Sequence, residues 1–207
     1  MLDNKIILIG YSGHAMVVAD AALDNSLNII GYAEQKIIQN NPFNLKYIGY
    51  EKEDTFIGWQ LDADFLIGIG DNYIREKVFN TIIKRGKQVK TLKSTTSIIS
   101  KYTTIGIGTF VSNNVTINAC SKIGMNVILN TGCIVEHESI IGNSAHIAPG
   151  AVLAGNVTIG ERSFIGANAV LKQGVVIGND VIIGAGTVVL HDIPDNMKIV
   201  GNPSRFI

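Results

Sequence analysis

From residue 99 onward, a branched aliphatic residue occupies every sixth position of the chain without a break. A period of six fits neither an amphipathic helix nor an alternating strand. It is typical of a parallel β-helix, in which three hexapeptides make one coil of a triangular prism. Each aliphatic side chain then points into the prism and packs on its equivalents in the neighbouring coils, of which we expect roughly five. The positions are Ile99, Ile105, Val111, Ile117, Ile123, Leu129, Val135, Ile141, Ile147, Leu153, Ile159, Ile165, Leu171, Ile177, Ile183 and Val189.

Once in every coil, a glycine directly follows the aliphatic residue. Two physical reasons account for such a column: a corner too tight for a side chain, or a backbone turn that needs a positive φ. The pattern alone leaves both open. The glycines are Gly106, Gly124, Gly142, Gly160 and Gly178.

Residues 1–93 follow a different pattern, in which apolar runs alternate with segments of helical periodicity. This alternation predicts a small, parallel, Rossmann-like α/β domain. We therefore expect two domains, an α/β domain over 1–93 and a β-helix with its C-terminal tail over 94–207. The predicted strands are 5–10, 27–34, 64–70 and 87–92, and the predicted helices are 16–25 and 71–86.

Ligands of parallel α/β sheets bind at the carboxyl ends of the strands. Three segments lie there in the predicted domain: Gly10–His14, Tyr32–Glu34 and Gly70–Asn72. The first segment reads GYSGH, which is not a complete G-x-G-x-x-G dinucleotide motif. Its glycines either hold a phosphate on backbone N–H groups or only form a tight strand-to-helix turn, and the sequence leaves both interpretations open.

Composition excludes several classes of function. Lys and Arg together number 17, as do Asp and Glu, so no nucleic-acid partner is expected. No apolar run is long enough to predict a membrane span. The two cysteines, Cys120 and Cys133, fit no metal-binding spacing, which favours a reduced, cytoplasmic protein without a metal.

Two histidines in the repeat region are candidates for chemistry. His137 follows an aliphatic position by two and should lie at a turn, while His146 precedes one and should face outward. We expect neither ring to be buried. The residues one coil away from His137 are the small Ala119 and Gly155, which leave a groove for a thioester beside the imidazole.

A general base is the role that this arrangement favours for His137. Either Glu136 or Glu138 could orient its imidazole, and the N–H of Gly155 could reach a thioester carbonyl as negative charge develops on it. No histidine is placed to activate Cys120, so a covalent acyl-enzyme is not expected.

Three stretches together resemble the sugar O-/N-acyltransferase family. They are GYSGH at 10–14, NTGCIVEHE at 130–138 and HIAPGAVLAGNVTIG at 146–160. The family includes bacterial N-acetyltransferases that act on UDP-4-amino-sugars in bacillosamine biosynthesis, perosamine N-acetyltransferases and sialic-acid O-acetyltransferases. The resemblance implies a left-handed prism and a homotrimer in which residues of one acetyl-CoA site come from two chains.

The resemblance also assigns roles to individual residues. It implies that His137 is the general base, that Glu138 orients it and that acetyl-CoA is the co-substrate, contacted by His146, Gly155 and Ala167. Tyr11 and Glu34 depart from the family pattern, so the nucleotide stays open. The residues implied to bind the nucleotide-linked sugar are Gly10, Ser12, Gly13, His14, Glu34, Asn72 and Asn130.

The predicted activity is acetyl-CoA-dependent N-acetylation of the 4-amino group of a nucleotide-linked 4-amino-4,6-dideoxyhexose, for surface glycan biosynthesis. The first alternative is a sugar O-acetyltransferase of the sialic-acid type. A zinc hydratase of the γ-carbonic-anhydrase type would need three converging histidines, and the spacing of His137, His146 and His191 does not match that family. A non-catalytic protein that binds nucleotide sugars is the last alternative, and the His–Glu pair argues against it.

Overall fold

The computed structural model describes residues 5–207, apart from the side chain of Phe206. Its first part is a parallel sheet with helices, as predicted; residues 1–4 of the predicted domain lie outside the described residues. The sheet has the strand order β2-β1-β3, and a short 3-10 helix precedes β3. The elements are β1 (Lys5–Ile9), α1 (Gly13–Asp24), β2 (Asn28–Ala33), the 3-10 helix Ile57–Trp59, β3 (Asp64–Ile67) and α2 (Asn72–Lys84).

The central strand of this sheet is apolar because it is covered on both faces. Ile6 to Ile9 are all fully buried, which explains their unbroken apolar run. The predicted fourth strand is reduced to a single bridge between Val89 and Phe65. Leu92–Lys93 instead pairs with Phe110–Val111, so the first rung of the prism starts there.

The rest of the chain forms a parallel β-helix with three faces, built from two-residue strands. Face 1 leads to face 2, face 2 to face 3, and face 3 back to face 1 in the next coil. Face 1 comprises β4 (Leu92–Lys93), β7 (Phe110–Val111), β10 (Ile128–Leu129), β13 (His146–Ile147), β16 (Phe164–Ile165), β19 (Ile182–Ile183), β21 (Lys198–Val200) and the antiparallel β22 (Arg205–Phe206).

The other two faces are shorter. Face 2 comprises β5 (Ile98–Ile99), β8 (Thr116–Ile117), β11 (Ile134–Val135), β14 (Val152–Leu153), β17 (Val170–Leu171) and β20 (Val188–Val189). Face 3 comprises β6 (Thr104–Ile105), β9 (Lys122–Ile123), β12 (Ile140–Ile141), β15 (Thr158–Ile159) and β18 (Val176–Ile177). From β5 to β20, the second residue of each strand is the periodic aliphatic residue, which points into the prism as predicted. The fold is therefore the predicted one, a Rossmann-like α/β domain followed by a hexapeptide-repeat, left-handed β-helix.

The structure decides between the two explanations of the glycine column. Gly106, Gly124 and their equivalents do not have positive φ. A Cβ built at Gly106 would lie 2.6 Å from backbone atoms of Gly124 and Met125 in the next coil. The column is glycine because the corner has no room for a side chain.

Positive φ occurs three residues after the aliphatic position instead. From Gly108 to Gly186, every sixth residue adopts the left-handed conformation. Most of these residues are Gly, Asn or Asp, which accept it at low cost. Cys120, Glu138, Ser144 and Arg162 are residues of other types in the same conformation.

The α/β domain packs on face 1. Phe110 and Ile128, which point outward from this face, belong to the same buried cluster as Ala15 and Val18 of α1. Arg75 of α2, only 2% exposed, donates to the carbonyl oxygens of Asn126 and Ser144 at 3.0 and 2.6 Å. The apolar cluster and this guanidinium together fix the domain against the prism.

Candidate active site

His137 lies at the corner where face 2 leads to face 3. Its Nδ1 is 3.1 Å from Oε2 of Glu138, and both side chains are at least half exposed. A carboxylate at this distance holds a proton on Nδ1 and leaves Nε2 as the acceptor. The pair therefore has the geometry of a general base with its orienting partner, open to a substrate.

The backbone turn places Glu138 beside the ring. Glu138 has a φ of +60°, and its N–H donates to the carbonyl of Ala119 at 3.0 Å. The same left-handed conformation recurs at this turn in every hexapeptide, although glutamate adopts it at a higher cost than glycine or asparagine. At position 138 this turn of the prism places the carboxylate beside the neighbouring imidazole.

Glu136, the other predicted candidate, is held elsewhere. Its Oε2 accepts from Nδ2 of Asn118 at 2.9 Å, one coil away. The spacing alone left both glutamates open, because both flank the histidine, and the resemblance implied Glu138. In the structure Glu138 is the glutamate beside the ring, and Asn118 is a partner of Glu136 that the sequence analysis did not identify.

Gly155 lies directly against the imidazole. A Cβ built at this position would be 2.5 Å from both Cε1 and Nε2 of His137. Its φ is not positive, so the backbone turn does not require glycine here. The position lacks a side chain because the His137 ring occupies that space. The sequence analysis placed a thioester in this gap, whereas the structure places the histidine ring there, with the Gly155 backbone next to Nε2.

The prediction that the His146 ring is not buried is wrong. His146 does point outward from face 1, but the α/β domain covers that face, and the residue is 8% exposed. Burial, followed by the charge of Arg75, lowers the pKa of His146 to about 3. The error came from treating the prism as if it were alone in water.

His14 lies in the same buried layer between the domains. Its ring centroid is 6.1 Å from that of His146 and 5.6 Å from that of Phe110. Burial and the Arg75 charge lower its pKa to about 4. Although His14 belongs to the glycine-containing loop, its side chain faces the prism.

Asn72 and Asn130, two further predicted sugar contacts, also belong to this layer. Asn72 donates to the carbonyl of Arg162 at 2.7 Å and accepts from Arg75. Asn130 lies 3.2 Å from Nε2 of His146. The structure does not bring these side chains together with His137 of the same chain.

Gly10, Ser12 and Glu34 are brought together, at the carboxyl ends of β1 and β2. They line a cavity of about 420 Å³ that also includes Gly70 and Asp71 from the loop after β3. This is the point where the strand order reverses, which is the usual ligand site of such sheets. Gly13, beside them at the start of α1, has no atom within 4 Å of a built Cβ, so the loop is open to a ligand.

Glu34 shapes this loop. Its two carboxylate oxygens accept from the N–H groups of Tyr11 and Gln35, at 3.1 and 2.8 Å. Tyr11 is buried, stacks on Tyr32 at 4.3 Å and donates to Asn41 at 2.7 Å. The two departures from the family pattern thus pack against each other within one structural unit.

The predicted contacts of the acyl donor lie on different edges of one prism. Gly155 is at the corner between faces 2 and 3, with His137. Ala167 is at the corner between faces 1 and 2, where its carbonyl accepts from Gly186 at 2.8 Å. The structure therefore does not bring these two predicted contacts together within one chain.

Within residues 5–207, no three His, Cys, Asp or Glu side chains form a group that could hold a metal ion. His137 and His191 share one edge of the prism, three coils apart, while His146 lies on the face opposite that edge. In the same part of the chain, no helix is both long and apolar enough to cross a membrane.

Comparison with known proteins gives a family match in each of the two parts of the chain. The PglD N-terminal domain family matches residues 5–82, and the bacterial transferase hexapeptide (six repeats) family matches 138–173 and 156–191. The fold and its corner histidine thus define a hexapeptide transferase with a PglD-type N-terminal domain.

Solved structures narrow the class. The acetyltransferase domain of PglB from Neisseria gonorrhoeae FA1090, in complex with acetyl coenzyme A, is 31% identical with a TM-score of 0.92, covering 99% of each chain. A histidine-to-alanine variant of GDP-perosamine N-acetyl transferase from Caulobacter crescentus, in complex with CoA and GDP-perosamine, is 30% identical with a TM-score of 0.94, covering 99% of this chain and 97% of that one. WeeI from Acinetobacter baumannii AYE is 26% identical with a TM-score of 0.88, covering 98% and 99%. The chain belongs to the sugar O-/N-acyltransferase family of left-handed β-helix proteins and is an acetyltransferase, as the sequence predicted.

Proposed function

We propose that this chain transfers an acetyl group from acetyl-CoA to the 4-amino group of a nucleotide-linked 4-amino-4,6-dideoxyhexose. The observation that carries the proposal is the imidazole of His137, held by Glu138 on one side and lying against Gly155 on the other. The similarity to a GDP-perosamine N-acetyl transferase over nearly the whole chain supports an amino sugar as the acceptor.

The proton transfer belongs to His137. Nε2 takes a proton from the amine as its nitrogen attacks the thioester carbonyl, and the imidazolium is stabilised by Glu138. A new N–C bond forms while the C–S bond to CoA breaks, and the proton passes from the imidazolium to the departing thiolate. The backbone N–H of Gly155 stabilises the negative charge that develops on the carbonyl oxygen.

The site needs a second chain. The α/β domain, with the Gly10–Gly13 loop, covers face 1, and His137 lies at the opposite edge of the same prism. If face 2 of each prism turns toward a threefold axis, the corner with His137 and Gly155 meets the neighbour's corner with Asn130 and Ala167. A homotrimer therefore assembles the predicted contacts that one chain keeps apart.

Face 2 is suited to this contact. Five of its six outward positions are branched aliphatic, and they include the exposed Ile98 and Val170. Contiguous apolar surface of this kind marks an interaction site. The outward positions of face 2 are Ile98, Thr116, Ile134, Val152, Val170 and Val188.

The proposed pathway is surface glycan biosynthesis in the cytoplasm. Both cysteines are free, Cys133 in the core and Cys120 at the surface, which agrees with a reducing compartment. Metabolic labelling of the surface glycan in cells with and without the protein tests this part of the proposal, since N-acetylated sugar should be lost without it.

Release of the CoA thiol tests the activity. The protein is mixed with acetyl-CoA and UDP-, GDP- or dTDP-linked 4-amino-4,6-dideoxyhexoses, and the matching 4-hydroxy sugars and sialic acid serve as controls. We expect release with an amino sugar only. Release with hydroxyl acceptors alone would assign an O-acetyltransferase, and no release with any acceptor would leave a protein that only binds nucleotide sugars.

A further inference from the structure

The nucleotide cavity has a wall that does not come from the strand ends. Besides the Gly10–Ser12 loop and Glu34, it is lined by Tyr50, Glu51 and Lys52, which follow the turn at Gly49. The sequence analysis assigned no role to this segment.

Glu51 is the unusual member of this wall. It is 6% exposed, yet it lines the cavity of about 420 Å³ and a neighbouring one of about 350 Å³. Its carboxyl group lies close to its own backbone N–H. A carboxylate with little access to water is costly unless hydrogen-bond donors reach it, and the cavity is the side from which a ligand can supply them. Burial is also the main cause that raises the pKa of Glu51.

The parts of a nucleotide can be placed along the cavity. The N-terminus of the 12-residue helix α1 favours the diphosphate, at Ser12 and Gly13. Glu34, at the end of β2, has the position from which an acidic side chain contacts the ribose. The base then extends past Glu34 toward Tyr50 and Glu51. This placement rests on the proposed function.

We propose that Glu51 determines the nucleotide specificity by accepting hydrogen bonds from the base, and that it selects guanine. An ionised carboxylate only accepts hydrogen bonds, and its two oxygens can take two parallel donors. Guanine offers that pattern on one edge, N1–H beside the 2-amino group. Uracil and thymine present a single N–H between two carbonyl oxygens, which a carboxylate repels.

Adenine and cytosine fit less well than guanine, because each places a ring-nitrogen acceptor next to its amino group. Specificity arises as much from these mismatches as from the guanine contacts. The chemistry of this wall therefore points to a GDP-linked sugar.

Calorimetric binding of four nucleoside diphosphates to the full-length protein tests the proposal. GDP, IDP, UDP and dTDP are compared, since IDP differs from GDP only by lacking the 2-amino group. A bidentate base contact contributes roughly a tenfold or larger preference. We expect the wild type to bind GDP at least about tenfold more tightly than IDP, UDP or dTDP. In Glu51→Gln this preference should shrink toward unity.

Glu53→Gln is the matched control, because Glu53 is exposed, lies two residues away and lines neither cavity. It should bind like the wild type, and thermal melting of both variants checks their folding. Tighter binding of UDP or dTDP, or an unchanged GDP-to-IDP ratio in Glu51→Gln, would overturn the inference while acetyl transfer to amino sugars stands. No binding of any diphosphate, together with no CoA release, would contradict the proposed function itself.

Discussion

At the scale of single residues, the candidate site depends on two different neighbours of the His137 ring. His137 has a carboxylate on one side of its ring and a residue without a side chain on the other. The carboxylate sets which nitrogen carries the proton, and the bare backbone of Gly155 leaves the space that the ring occupies. Each of the three positions can be tested separately.

His137→Ala should lower kcat by about 10²–10⁴-fold, the usual contribution of a general base. The KM for acetyl-CoA should stay within a few fold, because the ring does not hold the cofactor. Glu138→Ala should lose less, because it only orients the imidazole. Steady-state kinetics at saturating acceptor measure both, and near-normal turnover in His137→Ala would remove this histidine from the mechanism.

Gly155→Ala should lower kcat by roughly 10²-fold, since misplacing a catalytic group by about 1 Å costs that much. The new methyl group would lie 2.5 Å from the His137 ring and force it to move. A double-mutant cycle separates this effect from a block of the acyl donor. In a His137→Ala background, the second substitution should cost little; an undiminished loss there would mean that the methyl group excludes acetyl-CoA instead.

At the scale of the structural element, the left-handed turn position is a place where stability and activity conflict. Cys120, Glu138 and Asn156 occupy the same turn in three successive coils, with φ between +57° and +65°. Asparagine adopts this conformation at low cost, whereas in cysteine and glutamate it lowers the stability of the fold. The strain at Glu138 has a function at the site, while that at Cys120 has none in the proposed mechanism.

Cys120→Gly should raise the free energy of unfolding by roughly 0.5–1 kcal/mol without lowering kcat, because glycine adopts positive φ freely. Glu138→Gly should give a similar gain but lose turnover. Asn156→Gly is the control and should change neither. Urea denaturation and steady-state rates measure the two effects, and a rate loss in Cys120→Gly would assign that side chain a role it lacks in our mechanism.

The prism was predicted closely because one local feature, an aliphatic residue at every sixth position, repeats along the chain. Each aliphatic residue meets its own equivalents, so the period alone sets which side chains point inward. The α/β domain was predicted less exactly: the fourth strand reduces to the Val89 bridge, and Leu92–Lys93 joins the prism. Short apolar segments have no such repeat, so which strand they pair with depends on tertiary contacts that the sequence pattern does not contain.

The site was predictable to a similar, uneven degree. The corner position of His137 follows from the period, and its small neighbours follow from counting eighteen residues in each direction. Arg75 and the burial of His146 could not be predicted, because they depend on which face the α/β domain covers. No pattern in the sequence of either domain indicates which face of the prism is covered.

At the scale of the whole molecule, the layer between the domains is sensitive to acid. His14 and His146 have folded pKa values of about 4 and about 3, below the ordinary 6.5, chiefly because of burial. As the pH falls below about 6.5, the unfolded chain takes up protons that the folded chain does not. The stabilisation is complete above that pH and is lost toward pH 3–4.

The free energy of unfolding should therefore fall by roughly 1–2 kcal/mol per histidine between pH 7 and pH 5. His14→Gln and His146→Gln should each flatten this dependence. The exposed His191 provides the control, and His191→Gln should leave the slope unchanged. Urea denaturation at several pH values measures it; equal slopes in all four proteins would place the acid sensitivity outside this layer.

Assembly is the second property of the whole molecule. Val152→Glu, in the middle of face 2, should break the trimer and abolish acetyl transfer, because a charge would be buried between prisms. Val176→Glu places the same charge on face 3 and should leave trimer and activity intact. Sedimentation velocity with parallel assays distinguishes them, and an active monomer of Val152→Glu would contradict a site shared by two chains.

The reversed strand at the bottom of face 1 has a consequence of its own. A stack of parallel rungs ends as it begins, with open hydrogen-bonding groups that another stack could continue, and exposed edges of this kind lead to fibres. Arg205–Phe206 runs antiparallel to Lys198–Val200 and occupies the edge of that strand. A second prism that arrived end-on would meet a strand running in the opposite direction and could not extend the parallel rungs of face 1. The short reversed strand therefore ends the parallel stack on face 1, so that end-to-end growth of prisms cannot continue through this face.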